Sequence, residues 1–223
     1  MIPKQIFFLW FGDNPPPKYA ENVIKTFKEA NPDFNIDLIR KSNKEIESPN
    51  INDDLLVRSV ALAKECKETI KRLPFIIIVT NMYRKLIVNK YGGIYLDIDT
   101  FPIKPFDEYL LYKEFQATSY ILSNKTKIVL DIFFIGGHKG CFNTVTLDEA
   151  EMLQWNSPAF AALLSPNKNA KFSIYHEAFF NGTLKYGNHV ACPSFAYIDH
   201  YADYTHKKEN NRVPLTSYDK GYR

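Results

Sequence analysis

Six consecutive apolar residues near the start of the chain, at positions 6–11, limit the fold more than any other feature. The loop-forming residue types Gly, Asp, Asn and Pro follow directly at positions 12–15. A short apolar run without alternation is typical of a strand that is buried on both faces, as in a parallel sheet. The run is too short for a signal peptide or a membrane span. We therefore predict a buried strand that ends in a loop.

Apolar residues at helical spacing alternate with further strand patterns along the chain. The segments predicted to be helical are 20–30, 55–70, 80–90 with Thr80 or Asn81 as its cap, a start at Ser157-Pro158, and 175–186. The segments predicted to be strands are 36–38, 94–99, 128–135 and 190–192. Because strands alternate with helices, we predict an α/β domain with a mostly parallel sheet.

Composition excludes several classes of protein. The 223 residues suit one compact domain. The net charge of +3, from 28 basic and 25 acidic residues, is too small to indicate nucleic-acid binding. Cys66, Cys141 and Cys192 are far apart and form no C-x-x-C pair, so neither a disulfide framework nor a structural zinc site is indicated. A reducing compartment, the cytoplasm, is the simpler expectation.

Asp97 and Asp99 close the strand pattern at 94–99, in which apolar and polar positions alternate. On one face of a strand the two carboxylates would lie roughly 6.5–7 Å apart. Two acids at this separation repel each other unless a positive group sits beside them. Mg²⁺ and Mn²⁺ favour carboxylate oxygens and commonly share them with substrate phosphates. We therefore predict a divalent metal and a diphosphate at the carboxyl end of this strand, where open α/β sheets bind ligands.

The tripeptide Asp-x-Asp is common, so its surroundings carry the prediction. Gly92 and Gly93 lie just before the strand and allow a close approach of the backbone. Asn81 and Arg84 are three positions apart on the preceding predicted helix and share one of its faces. Arg84 would offset the acidic pair if that helix ends beside the strand. A purely structural salt bridge is the alternative role for Arg84.

Two separated motifs stand out together in the first half of the chain. The first is Ile2-Pro3-Lys4-Gln5-Ile6 with Trp10-Phe11-Gly12; the second is Thr80-Asn81-Met82-Tyr83-Arg84, Leu86 and the run from Lys90 to Asp99. They resemble the DXD sugar transferases of glycosyltransferase family 32. That family includes fungal α-mannosyltransferases and bacterial capsule and lipopolysaccharide sugar transferases, and the glucosylating toxins of clostridia carry a similar pattern. The likeness is good to about residue 140 and loose beyond it.

The resemblance implies a GT-A fold, with a mostly parallel Rossmann-like nucleotide-binding sheet flanked by helices. It implies one domain over residues 1–223, with a nucleotide-sugar half at 1–105, an acceptor side at 106–206 and a polar tail at 207–223. The implied activity is metal-dependent transfer of a hexose from a UDP- or GDP-sugar to a glycan or other hydroxyl acceptor. The resemblance also implies retention of configuration, Mn²⁺ or Mg²⁺ as cofactor and a part in polysaccharide biosynthesis.

The family's functional residues can be carried over position by position. The residues that the resemblance assigns to the donor are Trp10, which would stack on or flank the base, Phe11, Asn81, Arg84, Tyr95 and Asp97. The residues assigned to catalysis are Arg84, Asp97 and Asp99, and those assigned to the metal are Asp99, Asp97 and His206. The family usually has Asp where this chain has Asn81. An amide keeps the shape and an accepting oxygen but loses the charge.

The last part of the chain resembles the family less closely. Residues 204–206, Tyr-Thr-His, are similar to a histidine segment of the family, but the usual Ser-Trp after it is missing. His206 would contact the metal or the diphosphate. The further candidates in the second half are Lys207 and Lys208 for phosphate, Asp131 and His138 for the sugar or acceptor, and Asp199 and His200.

Three other functions are alternatives to sugar transfer. A phosphotransferase of the haloacid-dehalogenase type would have Thr two residues after the second Asp, where this chain has Phe101. A nucleotidyltransferase would have its Gly pair about ten residues before the acids, whereas Gly93 is only four residues before Asp97. A non-catalytic protein that binds nucleotide sugars remains the alternative from a different class, and Asn81 and the irregular tail of the chain are its motivation.

Overall fold

The computed structural model describes residues 1–67, 74–112, 115–121, 128–141, 172–176 and 198–200. The strands in these ranges are β1 (Gln5–Phe11), β2 (Asn35–Lys41), β3 (Gly93–Leu96), β4 (Thr100–Pro102), β5 (Phe115–Ile121), β6 (Ile128–Gly137), β7 (Phe172–His176) and β8 (Ile198–His200). The helices there are α1 (Ala20–Ala30), α2 (Asn43–Glu47), α3 (Asp54–Lys67), α4 (Phe75–Tyr91) and α5 (Glu108–Leu111).

Six strands form one mixed sheet in the order β2-β1-β3-β6-β5-β7, and β4 pairs with β8 in a separate two-stranded sheet. In the large sheet β1 is parallel to both β2 and β3, and β5 is parallel to β7. β6 runs antiparallel to its neighbours β3 and β5. Parallel pairs are therefore in the majority, and helices flank the sheet. The predicted α/β class, mostly parallel, is confirmed.

Both faces of the sheet are covered where β1 runs through it. Phe7 and Leu9 pack with α3 and α4 on one face, which we call the α4 face. Ile6 and Phe8 pack with α1 and α5 on the other, which we call the α1 face. Successive side chains of a strand point to opposite faces, so a strand covered on both must be apolar throughout. This explains the uninterrupted run at 6–11 and confirms the predicted buried strand.

Two glycines join the end of α4 to the start of β3. Gly92 has a φ of 72° and Gly93 a φ of 113°, a region that side chains disfavour. A Cβ at Gly92 would lie 2.8 Å from a side-chain carbon of Pro3, and one at Gly93 would lie 2.7 Å from the backbone oxygen of Gln5. Only glycine fits both positions, so the helix passes directly into the strand. The predicted helix break at these glycines is confirmed.

Two predicted helices differ from the structure. α4 begins at Phe75, directly after Pro74, and not near residue 80. Its first turns bury Ile78 and Val79 against the sheet, and this burial outweighs the low helix propensity of β-branched residues. The helix predicted at 175–186 is wrong at its start, because residues 175 and 176 belong to β7 and pair with β5.

Several predictions fall outside the described residues. They are the helix start at residues 157–158, the strand at 190–192 and the polar tail at 207–223. Within the described ranges, none of the helices combines the length and the hydrophobicity that crossing a lipid bilayer would require.

Candidate functional site

The carboxyl ends of β1 and β3 lie next to each other at one edge of the sheet, because the two strands are parallel neighbours. Their register pairs Phe7 with Tyr95. From that pair β1 continues to Phe11, whereas β3 stops one residue later at Leu96. The two strand ends that stand out in the sequence are therefore neighbours, and ligands of open α/β sheets bind at this kind of edge.

Asp97, Ile98 and Asp99 form a turn after β3. The backbone oxygen of Asp97 accepts hydrogen bonds from the backbone N–H of Thr100 at 3.2 Å and from its Oγ1 at 2.7 Å. The prediction of a strand as far as Asp99, with both carboxylates on one strand face, is wrong, because these bonds bend the chain and Asp readily initiates turns. The alternation still reaches Ile98, whose side chain packs into the α1 face.

Asn81, Arg84, Tyr95 and Asp97 are joined in one hydrogen-bonded network between α4 and β3. Oδ1 of Asp97 accepts from Nη1 of Arg84 at 3.3 Å and from the hydroxyl of Tyr95. Nη2 of Arg84 donates to Oδ1 of Asn81 at 2.6 Å. The guanidinium also lies over the ring of Tyr95, with its Cζ 4.8 Å from the ring centroid. The structure thus brings together four of the residues that the sequence assigns to the donor.

Burial keeps the Tyr95 phenol of this network protonated. Asn81 and Tyr95 are each only 2% exposed, while the side chain of Asp97 is 30% exposed at the edge of the sheet. Desolvation raises the pKa of the Tyr95 phenol well above its usual value, the Arg84 charge opposes this rise, and the charges of Asp97 and Asp99 add to it. The phenol therefore stays protonated at neutral pH and donates to the carboxylate.

Trp10 and Phe11 leave β1 on opposite faces. Phe11 lies on the α4 face, where its ring meets that of Tyr83 edge-on with the centroids 5.1 Å apart. Trp10 packs against the α1 face and remains partly exposed, and its Nε1 donates to the backbone oxygen of Asn14 at 2.7 Å. Of the two predicted donor residues, Phe11 therefore shares a face with Tyr95, and Trp10 does not.

The loop after β1 is bonded to the end of β2, a feature that the sequence analysis missed. The backbone N–H of Gly12 donates to the backbone oxygen of Lys41 at 2.7 Å. Oδ1 of Asp13 accepts from the backbone N–H of Asn43 at 2.9 Å, and Oδ2 accepts from the Asn43 side-chain amide at 2.8 Å. Asp13 and Asn43 are 30 positions apart, so no periodicity in the sequence connects them.

Asp97 and Asp99 supply two carboxylates close together, which fits a metal that is shared with a substrate. Across the described ranges, no three His, Cys, Asp or Glu side chains are grouped so that they could hold a metal ion. Mg²⁺ and Mn²⁺ commonly take one or two carboxylates and complete their coordination with phosphate oxygens and water. Asp99 is partly exposed two residues after Asp97, within range to influence the pKa of Tyr95. The donor set is therefore suited to a metal–diphosphate complex.

The other predicted residues lie elsewhere in the fold than the network or fall outside the described residues. β6 is antiparallel to β3 and pairs Gly137 with Gly93, so His138 lies at the edge of the sheet opposite to Asp97. The backbone of β8 pairs His200 with Thr100 and Asp199 with Phe101, which brings it beside the turn. The backbone of Asp131 lies in β6. The positions outside the described residues are His206, Lys207 and Lys208.

Comparison with known proteins covers the part of the chain that contains α4, β3 and the turn with Asp97 and Asp99. Residues 17–116 match the family described as a glycosyltransferase sugar-binding region containing a DXD motif. The chain is 28% identical over 117 residues to the initiation-specific alpha-1,6-mannosyltransferase of Candida albicans, which is 51% of this chain and 28% of that protein. It is 27% identical over 109 residues to HOC1 of Saccharomyces cerevisiae, named as a glycosyltransferase, which is 49% of this chain and 25% of that protein. The chain thus spans about a quarter of the length of these curated relatives.

Similar solved structures also carry the names of glycosyltransferases. The PaToxG glycosyltransferase aligns with a TM-score of 0.47 and 18% identity, covering 74% of this chain and 66% of that one. The galactosyltransferase LgtC, solved with donor and acceptor sugar analogues, aligns with a TM-score of 0.46 and 12% identity, covering 89% and 87%.

Proposed function

We propose that this chain, which contains a glycosyltransferase sugar-binding region with a DXD motif at residues 17–116, is a metal-dependent hexosyltransferase. Its donor is a UDP- or GDP-sugar, and its acceptor is a hydroxyl group of a glycan or of another molecule. We assign it Mn²⁺ or Mg²⁺, retention of configuration by front-side transfer, a cytoplasmic location and a part in polysaccharide biosynthesis. The observation that carries the proposal is the network of Asn81, Arg84, Tyr95 and Asp97 beside the turn that contains Asp99.

The network supports sugar transfer because it fixes a positive charge before the substrate arrives. Cleavage of the donor's glycosidic bond builds negative charge on the departing diphosphate. Groups that are already oriented toward such charge stabilise it without reorganisation. Asn81 and Asp97 hold the Arg84 guanidinium from two sides, and the ring of Tyr95 lies beneath it. Arg84 is therefore suited to orient the sugar and to stabilise the leaving group.

Asp99 and Asp97 would hold the divalent ion, which supplies Lewis-acid stabilisation of the diphosphate when bound. Their roles differ, because the contacts differ. Asp97 is oriented by Arg84 and Tyr95, so its carboxylate is fixed relative to the sheet. Asp99 is partly exposed in the turn after β3, and we propose that a hydrated ion and a phosphate approach it there. We therefore assign direct metal ligation to Asp99 and positioning beside the ribose or the sugar to Asp97.

A thermal-shift screen tests the proposal, with UDP- and GDP-sugars each measured with and without Mn²⁺. A ligand that binds the folded state raises its stability, by about 2.7 kcal/mol at a hundred times its Kd. We expect the largest rise with one nucleotide sugar and Mn²⁺ together. Asp99→Ala should lose the Mn²⁺-dependent part of the rise and the donor turnover. Asp37→Ala, which removes an exposed acid of β2, is the matched control and should change neither.

Retained transfer by Asp99→Ala at saturating donor and Mn²⁺ would contradict the role assigned to that carboxylate. A wild-type protein that no UDP- or GDP-sugar stabilises would contradict the donor class as a whole.

A non-catalytic protein that binds nucleotide sugars is the second candidate, and Asn81 is the observation that favours it. Its amide oxygen meets Arg84, whereas the family usually places a carboxylate at that position. Slow hydrolysis of the donor in the presence of Mn²⁺ would support the enzyme. Tight donor binding without turnover, over a panel of hydroxyl acceptors, would support the binding protein.

A further inference from the structure

We infer that Thr100, the residue after Asp99, is a positioning residue for the divalent ion. Its hydroxyl closes the turn at residues 97–100 and thereby fixes where the carboxylate of Asp99 stands relative to that of Asp97. Thr100 acts through the backbone of this turn and not as a ligand. The inference rests on the proposed function, because an ion shared by these two acids is part of that function.

A single backbone oxygen closes the turn. The oxygen of Asp97 accepts from the Thr100 hydroxyl at 2.7 Å and from the Thr100 backbone N–H at 3.2 Å. The first distance is the usual one for a hydroxyl donor, whereas the second is at the long end of the range for an N–H donor. The hydroxyl therefore makes the better of the two bonds. Asp99 lies inside the closed turn, so its backbone follows both ends.

The Asp97 end of the turn is fixed to the sheet and to α4. Its carboxylate accepts from Arg84 and Tyr95, so the residue is held at its side chain as well as at its backbone oxygen. Ile98, the next residue, is buried and packs into the α1 face. One end of the turn is thus a fixed reference for the other.

The Thr100 end is fixed as well. Thr100 is fully buried, and its backbone pairs with that of His200 where β4 meets β8. Phe101 follows it and packs into the α1 face. Both chain neighbours of Asp99 are therefore buried, whereas Asp99 itself is partly exposed. The turn presents this one carboxylate from a backbone that is held on both sides.

A metal site depends on such support because the ion tolerates little error in the position of its ligands. Mg²⁺ demands nearly ideal octahedral geometry when it is held by one or two carboxylates and by phosphate oxygens. Residues that orient the ligands without touching the metal typically change metal affinity by about 10–100-fold when they are replaced. Thr100 bonds to the backbone and not to a ligand oxygen, so we expect an effect near the lower end, about tenfold.

Two substitutions of Thr100 separate the hydroxyl from the packing. Thr100→Val keeps a branched side chain and loses the hydroxyl, whereas Thr100→Ser keeps the hydroxyl and loses the buried methyl group. Melting curves with increasing Mn²⁺ at fixed UDP or GDP give the Mn²⁺ concentration that produces half of the rise in melting temperature. Thr100→Val should raise this concentration about tenfold. Thr100→Ser should stay near the parent, even though the lost methyl lowers its melting temperature without ligand.

Thr26→Val is the matched control. It removes a bond of the same kind, from the Thr26 hydroxyl to the backbone oxygen of Val23 at 2.9 Å, but in α1 and not in the turn. It should leave the Mn²⁺ concentration unchanged.

The role of Thr100 is overturned if Thr100→Val needs no more Mn²⁺ than the parent. It is also overturned if Thr100→Ser or Thr26→Val is impaired as much as Thr100→Val, because the loss would then follow from packing or from stability. A parent protein in which Mn²⁺ adds nothing to the effect of either nucleotide would reject the proposed metal site, and the role of Thr100 with it.

Discussion

The ends of β3 and β1 each carry a small set of hydrogen bonds, but the two sets lie in different surroundings. The network of Asn81, Arg84, Tyr95 and Asp97 is mostly buried between α4 and β3. The contact between Asp13 and Asn43 lies in the exposed loop region after β1. A buried polar group that loses its partner keeps the full cost of its desolvation, whereas water replaces a lost partner at the surface. We therefore expect that removing one partner lowers the free energy of unfolding much more at β3 than at β1.

Arg84→Ala should give the largest effect of any change at either strand end. It removes a cation from between Asp97 and Asn81, leaving a half-buried carboxylate and a buried amide oxygen. We expect the free energy of unfolding in urea to fall by about 3 kcal/mol, the lower end of the range for breaking a buried pair. Donor turnover should also be lost.

Arg84→Lys is the control for charge, because it keeps the cation without the planar fork of donors. It should recover part of the stability and little of the turnover. A loss below about 1 kcal/mol in Arg84→Ala, a value typical of exposed pairs, would remove the contrast between the two strand ends.

Tyr95→Phe should give the next largest effect, since it removes only the hydroxyl that donates to Asp97. A loss of about 1–2 kcal/mol in the free energy of unfolding is expected, with a raised KM for the donor. Burial raises the pKa of the Tyr95 phenol in the folded state. Above the ordinary pKa of about 10 the unfolded chain releases this proton and the folded chain keeps it, so stability falls as the pH rises.

Tyr95→Phe has no phenol at this position, so its free energy of unfolding does not fall at alkaline pH for this reason. The stability difference between wild type and Tyr95→Phe, measured by urea unfolding from pH 8 upward, should therefore shrink above pH 10. A constant difference over that range would show that the phenol titrates equally in both states.

Glu45→Gln should give the smallest effect, because Glu45 is exposed at the start of α2. The backbone N–H and the hydroxyl of Ser42 lower the pKa of Glu45, and the positive Lys41 contributes less. A lowered pKa stabilises the folded state above the ordinary glutamate range, and this stabilisation is lost as the pH falls through the folded-state value. We expect a loss of about 0.5 kcal/mol near neutral pH, as for a partly retained cap.

The loss should shrink as the pH falls below the ordinary glutamate range and wild-type Glu45 takes up a proton, and thermal melts at pH 7 and pH 3 measure it. Lys25→Gln in α1 is a matched control, because it removes one end of an exposed ion pair with Glu29 without touching a helix cap. An effect of Glu45→Gln larger than that of Tyr95→Phe would reverse the ranking of the two regions.

Much of the fold could be predicted because its signals are local. β1, α1 and β2 follow from apolar runs and helical spacing near the start of the chain. The double glycine predicts the end of α4, and β6 extends the predicted strand by two residues. The contact of Arg84 with the acidic pair was also predictable, because Arg84 and Asn81 share a helix face next to the acidic strand.

The other features of the fold and the site depend on contacts that no local sequence pattern predicts. The turn at Asp97 replaces a strand because Thr100 bonds back to it, although alternation alone favours extension. β7 and β8 were missed because their partners, β5 and β4, are distant in the chain. β5 was missed although it also pairs with the next strand, β6. The contact between Asp13 and Asn43 was missed because the parallel register of β1 and β2 brings these distant positions together.

The double glycine has a geometric consequence for any change of length in this segment. Arg84 lies about 12 Å along the helix from Gly92, and Asp97 lies about 13 Å along the strand from Gly93, given the usual rise per residue of each element. The guanidinium and the carboxylate meet because these two distances are nearly equal and both are measured from the sharp turn at Gly92 and Gly93. An insertion of a single residue would move Asp97 about 3.3 Å farther along the strand, or rotate Arg84 by about 100° around the helix axis. The spacing from Arg84 to Asp97 is thus as essential to the site as the two side chains themselves.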